Sequence, residues 1–266
     1  MDFVVTVSMR NVLKLSELFN NGEVVKILLV QCIYNEIKLL PWKMQWAKAN
    51  GLQVFTFDNG STDGSVEWLE RHQCDYAMLD TEDMFSLRRN NEAMLAKFHE
   101  LKPDWCVIAG CDMFYRLLDR PELSLKKIIT TADNQGYNMI DCSRLFNFYY
   151  TGNEDDNKNP LTEYRYYEEK SDWNVHLIAK YDPKLWLDAD MFYLPEVKLF
   201  QYPDFVCLHY WFRSDARERF ISKWRRRFQA WERGIDIQAH GRHYPGIVME
   251  DRWVRDKGGL KEFEVG

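Results

Sequence analysis

The sequence predicts an α/β fold, with a mostly parallel central sheet flanked by helices and a less regular α+β C-terminal half. Three observations predict it. Four strand-like runs alternate with helical patterns between residues 24 and 112, the order that builds a parallel sheet with right-handed crossovers. The first run, 24–33 (VVKILLVQCI), is almost continuously apolar, as a strand covered on both faces must be. Three of the runs end on acids just before a turn, at Glu36, Asp58 and Asp112. In an open α/β sheet such ends converge on one edge, which is where ligands bind.

The elements follow in order. Residues 1–23 read as a leader whose short helical face, Val12, Leu13, Leu15, Leu18 and Phe19, stops at Asn20-Asn21-Gly22. After the first strand, Tyr34-Asn35-Glu36 closes the run, and 37–50 reads as a helix with Pro41 in its first turn and Gly51 as C-cap. The second strand is 52–57. It passes into Asp58-Asn59-Gly60-Ser61-Thr62-Asp63-Gly64, which is turn chemistry, and a helix follows over 65–71. In that turn Asp63 is expected to shape the bend and cap the helix. Residues 75–79 form a short third strand, 86–101 a helix, and 104–109 (DWCVIA) a fourth strand ending at Gly110-Cys111-Asp112. Beyond it the pattern loosens. A helix is predicted over 123–132 and strands over 137–144, 175–181 and 205–210, with an acidic loop at 147–160 and a basic helix at 220–231. No repeat, low-complexity linker or clean boundary divides the chain.

Composition narrows the function classes. Of 266 residues, 46% are hydrophobic, enough for a full core, and the net charge of −6 argues against nucleic acid as a general partner. The six cysteines show no CxxC spacing and no histidine placed to complete a zinc site, so they read as free thiols in a reducing, cytoplasmic setting. No signal-peptide core precedes the first strand and no run approaches the ~20 apolar residues of a membrane span, which leaves only peripheral membrane contact open. Neither GxGxxG nor GxxxxGK[ST] occurs. Three acids on one edge repel unless a cation or hydrogen-bond donors compensate them, and an oxygen-rich set with one imidazole suits Mg²⁺ or Mn²⁺.

YNE after a first strand, DNGSTDGS after a second and an Asp-containing turn after DWCVIAGCD together resemble the GT-A nucleotide-sugar glycosyltransferases of the family 2 type, whose sheet is Rossmann-like. The resemblance covers residues 24–115 well and runs more loosely to 224. It implies one domain over 1–266: a donor half at 24–115, an acceptor and catalytic half at 116–233, and a tail at 234–266. It implies that Glu36 and Asp58 hold the base and ribose of a UDP-sugar, favoured over a GDP-sugar, with Tyr34, Asn59, Arg89, Asn90 and the Cys111 turn also at the donor. Arg88 and Arg89 open the third helix, where forked donors suit a diphosphate. The family's DxD falls on Gly110-Cys111-Asp112, so the first acid is missing and Asp112 stands for the second. His209 would complete a Mn²⁺ or Mg²⁺ site. The inverting reaction needs a base, which the resemblance places in Thr151-Gly152-Asn153-Glu154-Asp155-Asp156, on Asp155 first, with Glu154 and Asp156 beside it. The acceptor is then a hydroxyl, of a glycan by expectation.

Other features rank lower. Glu250-Asp251 comes after His209, the wrong order for this family. Asp188 and Asp190 mimic DxD without a preceding strand of the first half. Tyr149, Tyr150, Tyr164, Tyr166, Tyr167 and Trp173 suit either sugar stacking or loop packing. The basic stretch Arg225 to Arg227 suits an anionic acceptor, a membrane surface or a solvated face, the last favoured. Two other activities stay open. One is a non-catalytic nucleotide- or carbohydrate-binding module, which the missing acid keeps in view. The other is a sugar nucleotidyltransferase, for which YNEIKLLP lacks the expected Gly-rich basic loop.

Overall fold

The computed structural model describes residues 25–79, 86–142, 144–170, 175–188, 191–233 and 258–263. The leader, Trp173, Asp190 and Glu250-Asp251 lie outside them. β1 (Ile27–Ile33) leads through a turn into α1 (Leu40–Ala49), where Pro41 sits in the first turn and needs no hydrogen-bond acceptor. Gly51 has φ +71°, the left-handed conformation that ends a helix without a Cβ penalty. β2 (Gln53–Asp58), α2 (Ser65–Arg71) and β3 (Tyr76–Met78) follow. α3 (Leu87–Leu101) starts on Ser86, whose hydroxyl accepts from Arg89 N at 3.2 Å. β4 (Trp105–Ile108) then passes directly into β5 (Met113–Leu117). α4 (Leu125–Asn134), β6 (Met139–Cys142), β7 (Arg144–Tyr149), α5 (Pro160–Glu163), β8 (Tyr166–Lys170) and β9 (Val175–Lys180) come next. The chain closes with β10 (Trp186–Asp188), β11 (Met191–Tyr193), β12 (Leu199–Gln201), β13 (Phe205–Phe212), α6 (Ala216–Glu232) and β14 (Lys261–Glu262).

The central sheet has seven strands in the order β12-β6-β9-β4-β1-β2-β3. All neighbours are parallel except those of β9, which runs against β4 and β6. This is the mostly parallel, helix-flanked sheet expected. Its strands are buried at their centres: Leu29, Val30, Cys106 and Val107 are all at 0% exposure, which is why the first and fourth runs show no polar alternation.

A second sheet, β14-β8-β7-β13-β5, was not foreseen. Residues 147–149, read from sequence as the start of a loop, belong to strand β7, with Phe148 and Tyr149 buried in the core. The 137–144 strand ends at Cys142, so its last predicted residues are not all one element. The Asp188 segment lies in the two-stranded β10-β11 hairpin. Because β5 continues β4 after one short turn, residues 109–112 join the two sheets, and that junction places the site.

Candidate active site

β1, β2 and β4 are parallel neighbours, so Glu36, Asp58 and Asp112 leave the same edge of the sheet. The first two turns are laced together. Asn35, at φ 55°, receives Thr62 N on its Oδ1 at 2.8 Å and gives its own N–H to Ser61 Oγ at 2.8 Å. Asp63 accepts from Ile37 N and Ser65 N, so it shapes the bend, while the residue at the helix cap itself is Gly64. Asp58 is fully buried. Its Oδ1 accepts from Gly60 N at 2.9 Å and Ser61 N at 2.8 Å, and its Oδ2 has no hydrogen bond among the described residues. Buried Asn59 likewise keeps its Nδ2 without an acceptor. Consecutive residues at the end of β2 thus carry an acceptor and a donor with no partner among the described residues, the two kinds of group that recognise a hydroxyl or a base edge.

The β4–β5 turn brings the third acid into contact with His209. In β13, His209 lies opposite Met113 of β5, one residue from Asp112, and opposite Asn147 of β7. Its Nδ1 is 2.8 Å from Asn147 Oδ1 and its Nε2 is 3.6 Å from Asp112 Oδ2. An amide oxygen at Nδ1 makes that nitrogen the donor and fixes the ring so that Nε2 faces Asp112. Burial would raise the Asp112 carboxyl, but His209, Lys223 and Arg213 outweigh it and hold it well below the usual carboxylate range. Gly110 allows this placement. A Cβ there would meet Asp112 Oδ1 at 2.6 Å, so the carboxylate folds over the position where the first acid of a DxD would stand.

Beneath the turn, Lys43 is fully buried and gives its ammonium to the Met113 carbonyl at 2.5 Å, with its charge 4.4 Å from the Trp46 ring centre. Burial pushes its pKa down to about 8. Cys111 is 2% exposed and its thiol is pushed up by burial, so a ligand at this turn meets its backbone only.

The three acids of the 151–156 loop have different surroundings. Glu154 accepts from Thr151 N, Thr151 Oγ1 and Asn153 N, which closes the loop on itself. Asp155 accepts from Asn157 N and Nδ2 on Oδ1, bonds that lower its carboxyl. Asp156, with its side chain 6% exposed, accepts from Lys38 Nζ at 3.0 Å, Tyr164 and Ser214. It therefore ties the loop to the turn after β1 and to the residues after β13. Tyr149, Tyr164 and Tyr167 are buried, the first and last within strands β7 and β8, and Tyr164 packs against the loop through Asp156. Arg88 pairs with Glu92 on the exposed side of α3, Arg89 is half-buried in its first turn, and Asn90 is buried with its Oδ1 lacking a hydrogen bond among the described residues.

No protein-family model matches the chain, and no curated protein does. Solved structures similar to it include Staphylococcus aureus TarS 1–349, at 12% identity over 76% of this chain and 65% of that one, with a TM-score of 0.41. The same fragment with UDP-GlcNAc aligns at 14% identity over 53% of this chain and 39% of that one, TM-score 0.34. A Desulfovibrio desulfuricans protein named as a nucleotide-diphospho-sugar transferase aligns at 11% identity over 81% of this chain and 100% of its own, TM-score 0.34. With UDP, the TarS fragment matches 53% of this chain, which spans 40% of that fragment's length, TM-score 0.34. All of these scores lie below 0.5.

The cations at the edge were missed from sequence. Arg213, 1% exposed, and Arg219 of α6 reach Glu36 at 2.9 and 2.7 Å. Burial pushes the Glu36 carboxyl up, to about 7, while Arg213 pulls it down. With a guanidinium on each oxygen, the charged form is the one this pairing holds. Arg226 lies 4.2 Å over the Tyr34 ring and gives Nη2 to Asn59 Oδ1 at 3.3 Å, and Ser222 meets the Tyr34 hydroxyl at 2.7 Å. The basic helix, favoured above as a solvated face, thus docks one side on the strand ends. Its signal was present in the spacing 219, 222, 226, which is one face of a helix. The predicted start at 220 hid it, since α6 begins at Ala216. Among the described residues no group of three or more His, Cys, Asp or Glu gathers to hold a metal.

Proposed function

We propose that this chain is a glycosyltransferase that moves a sugar from a nucleoside-diphosphate sugar, UDP- favoured over GDP-, to an acceptor hydroxyl of a glycan, with inversion. The observation that carries the reading is the shared edge: Asp58 and Asn59 with an open acceptor and donor at one end, and Asp112 beside His209 at the other. A base and ribose suit the first, and a cation that would offset a diphosphate's charge suits the second. Asp112 and His209 offer the carboxylate and imidazole that Mn²⁺ or Mg²⁺ accepts, with Nε2 already turned toward the acid, so these two residues would hold the ion. When bound, a divalent cation offsets the charge that develops on the departing diphosphate. Asp155 is proposed as the base. Glu154 and Asp156 spend their carboxylates on the loop, whereas Asp155 Oδ2 carries no hydrogen bond among the described residues. The Asp155 carboxylate takes the acceptor's proton, the acceptor oxygen bonds to the anomeric carbon, and the bond from that carbon to the diphosphate breaks.

The test is to incubate the protein with UDP- and GDP-sugars, with and without Mn²⁺, and follow diphosphate release and melting. Metal-dependent release of UDP supports the reading. If no donor is turned over and no nucleotide changes the melting temperature, it fails. The second reading, a binding module without turnover, draws on Gly110 in place of an acid, and it is the result if nucleotides raise the melting temperature but no donor is consumed.

A further inference from the structure

Residues 219, 222, 223 and 226 of α6 recur at i, i+3, i+4 and i+7, so they share one face. Three of them are pinned to the strand ends: Arg219 on Glu36 at 2.7 Å, Ser222 on Tyr34 at 2.7 Å and Arg226 on Asn59 at 3.3 Å. The helix therefore lies across the ends of β1 and β2 with Lys223 on its inner face, half-buried. The Lys223 charge acts on the carboxyls of both Glu36 and Asp112, which puts it by the gap between the ends of β1 and β4. Beside it, buried Arg213 keeps Nε and Nη1 without a hydrogen bond among the described residues, and Arg219 keeps its own Nε and Nη1 the same way. Their nearest acid there is Asp215, 3.8 to 4.0 Å away, beyond hydrogen-bond reach. Buried guanidinium N–H groups with no acceptor are what an oxyanion completes. In the sheet the end of β1 stands between the end of β2, which carries Asp58 and Asn59, and the end of β4, which leads to Asp112. A diphosphate joining a nucleoside to its sugar has to cross that gap.

We propose that Arg213, Arg219 and Lys223 form an oxyanion subsite for the diphosphate of a nucleoside-diphosphate ligand, and that Lys223 sets the preference for diphosphate over uncharged nucleoside. The nucleoside part rests on the donor reading above. Arg213 and Arg219 also hold Glu36, so Lys223 is the residue to change.

Binding of UDP, uridine and inorganic pyrophosphate to the full chain is measured by calorimetry, for the parent, Lys223→Ala, Lys223→Arg and Arg225→Ala. Arg225 is exposed on the same helix and carries the same charge. Lys223→Ala is expected to weaken UDP and pyrophosphate about tenfold or more, with uridine unchanged, since a charge-assisted hydrogen bond is lost. Lys223→Arg should retain most of the affinity, and Arg225→Ala all of it. The proposal is overturned if Lys223→Ala leaves the ratio of UDP to uridine affinity as in the parent, or if Arg225→Ala lowers it as much. The two readings fail separately. Lys223-dependent pyrophosphate binding with no gain from any nucleoside keeps the subsite and removes the donor reading. UDP binding indifferent to Lys223 does the reverse, and no binding of either probe removes both.

Discussion

Putting a side chain on Gly110 should disable the β4–β5 turn, even when that side chain is the acid a DxD calls for. The first atom of any side chain there meets Asp112 Oδ1 at 2.6 Å, while ordinary contact begins at 3.4 Å. Backbone conformation is not the obstacle, because φ at Gly110 lies outside the left-handed region. The carboxylate is what must move. It leaves the place where His209 lies 3.6 Å away and where Lys223 and Arg213 keep it charged despite burial. Charge-assisted bonds contribute about 1.5–3 kcal/mol each, and a carboxylate that can point elsewhere recovers part, so Gly110→Ala should cost about 1–2 kcal/mol. In a chain of this size that lowers the melting temperature by roughly 2–8 °C. Gly110→Asp should cost more, since it adds a second carboxylate in contact with the first. Scanning calorimetry reads the stability, and Mn²⁺ titration with UDP reads the site. Parent-like melting and Mn²⁺ response in Gly110→Ala, or tighter Mn²⁺ binding in Gly110→Asp, would refute the account of the turn.

Three further outcomes follow from the geometry. Asp155→Asn should keep nucleotide affinity and lower transfer by about 10²–10⁴-fold, as for loss of a general base, whereas Asp156→Asn should lower stability by about 1–3 kcal/mol through its three donors. Burial works against Asp156 ionisation, but Ser214, Tyr164 and Lys38 hold its carboxyl below 3.8, so its stabilisation is present above that pH and lost below it. Denaturation of Asp156→Asn should therefore show a shallower acid limb, and loss of transfer at parent stability would exchange the two roles. Arg213→Ala should destabilise by about 3–5 kcal/mol, because it strips one partner from buried Glu36, and Glu36→Gln in that background should restore part; urea unfolding within about 1 kcal/mol of the parent would count against the pair. Lys43 has its pKa lowered by burial from 10.5 to about 8, so its cost is full below the folded value and vanishes as pH rises past the unfolded one. The stability of Lys43→Met relative to the parent should thus fall by about 3 kcal/mol between pH 7.5 and pH 10.5, and a flat difference would show that the ammonium is not desolvated.

Much of the first half was legible because its signals are local. Apolar runs such as 27–33 and 105–108 show no alternation, since both faces are covered, and Asp58 to Gly64 has turn chemistry that no strand or helix tolerates. Ser86 as a cap and Gly51 as a stop act over single turns. From these the α/β class follows, and so does the convergence of Glu36, Asp58 and Asp112 on one edge, because parallel neighbours must end together. The second sheet was not legible. Asn147 in β7 interrupts an apolar pattern and reads as the start of a polar loop, yet it is 3% exposed because His209 satisfies it from the next strand. That pairing depends on the register of β13 between β5 and β7, a long-range choice that no window of sequence carries. The compensation of the edge is also tertiary. Sequence shows three acids in need of countercharge, and it favours a solvated basic helix. The fold lays α6 across β1 and β2, so that Arg219, with Arg213 just before the helix, neutralises Glu36 from a distant part of the chain. Local patterning determined where the acids stand; the packing of two sheets and one helix decided what faces them, because those contacts exist only once register and docking are chosen together.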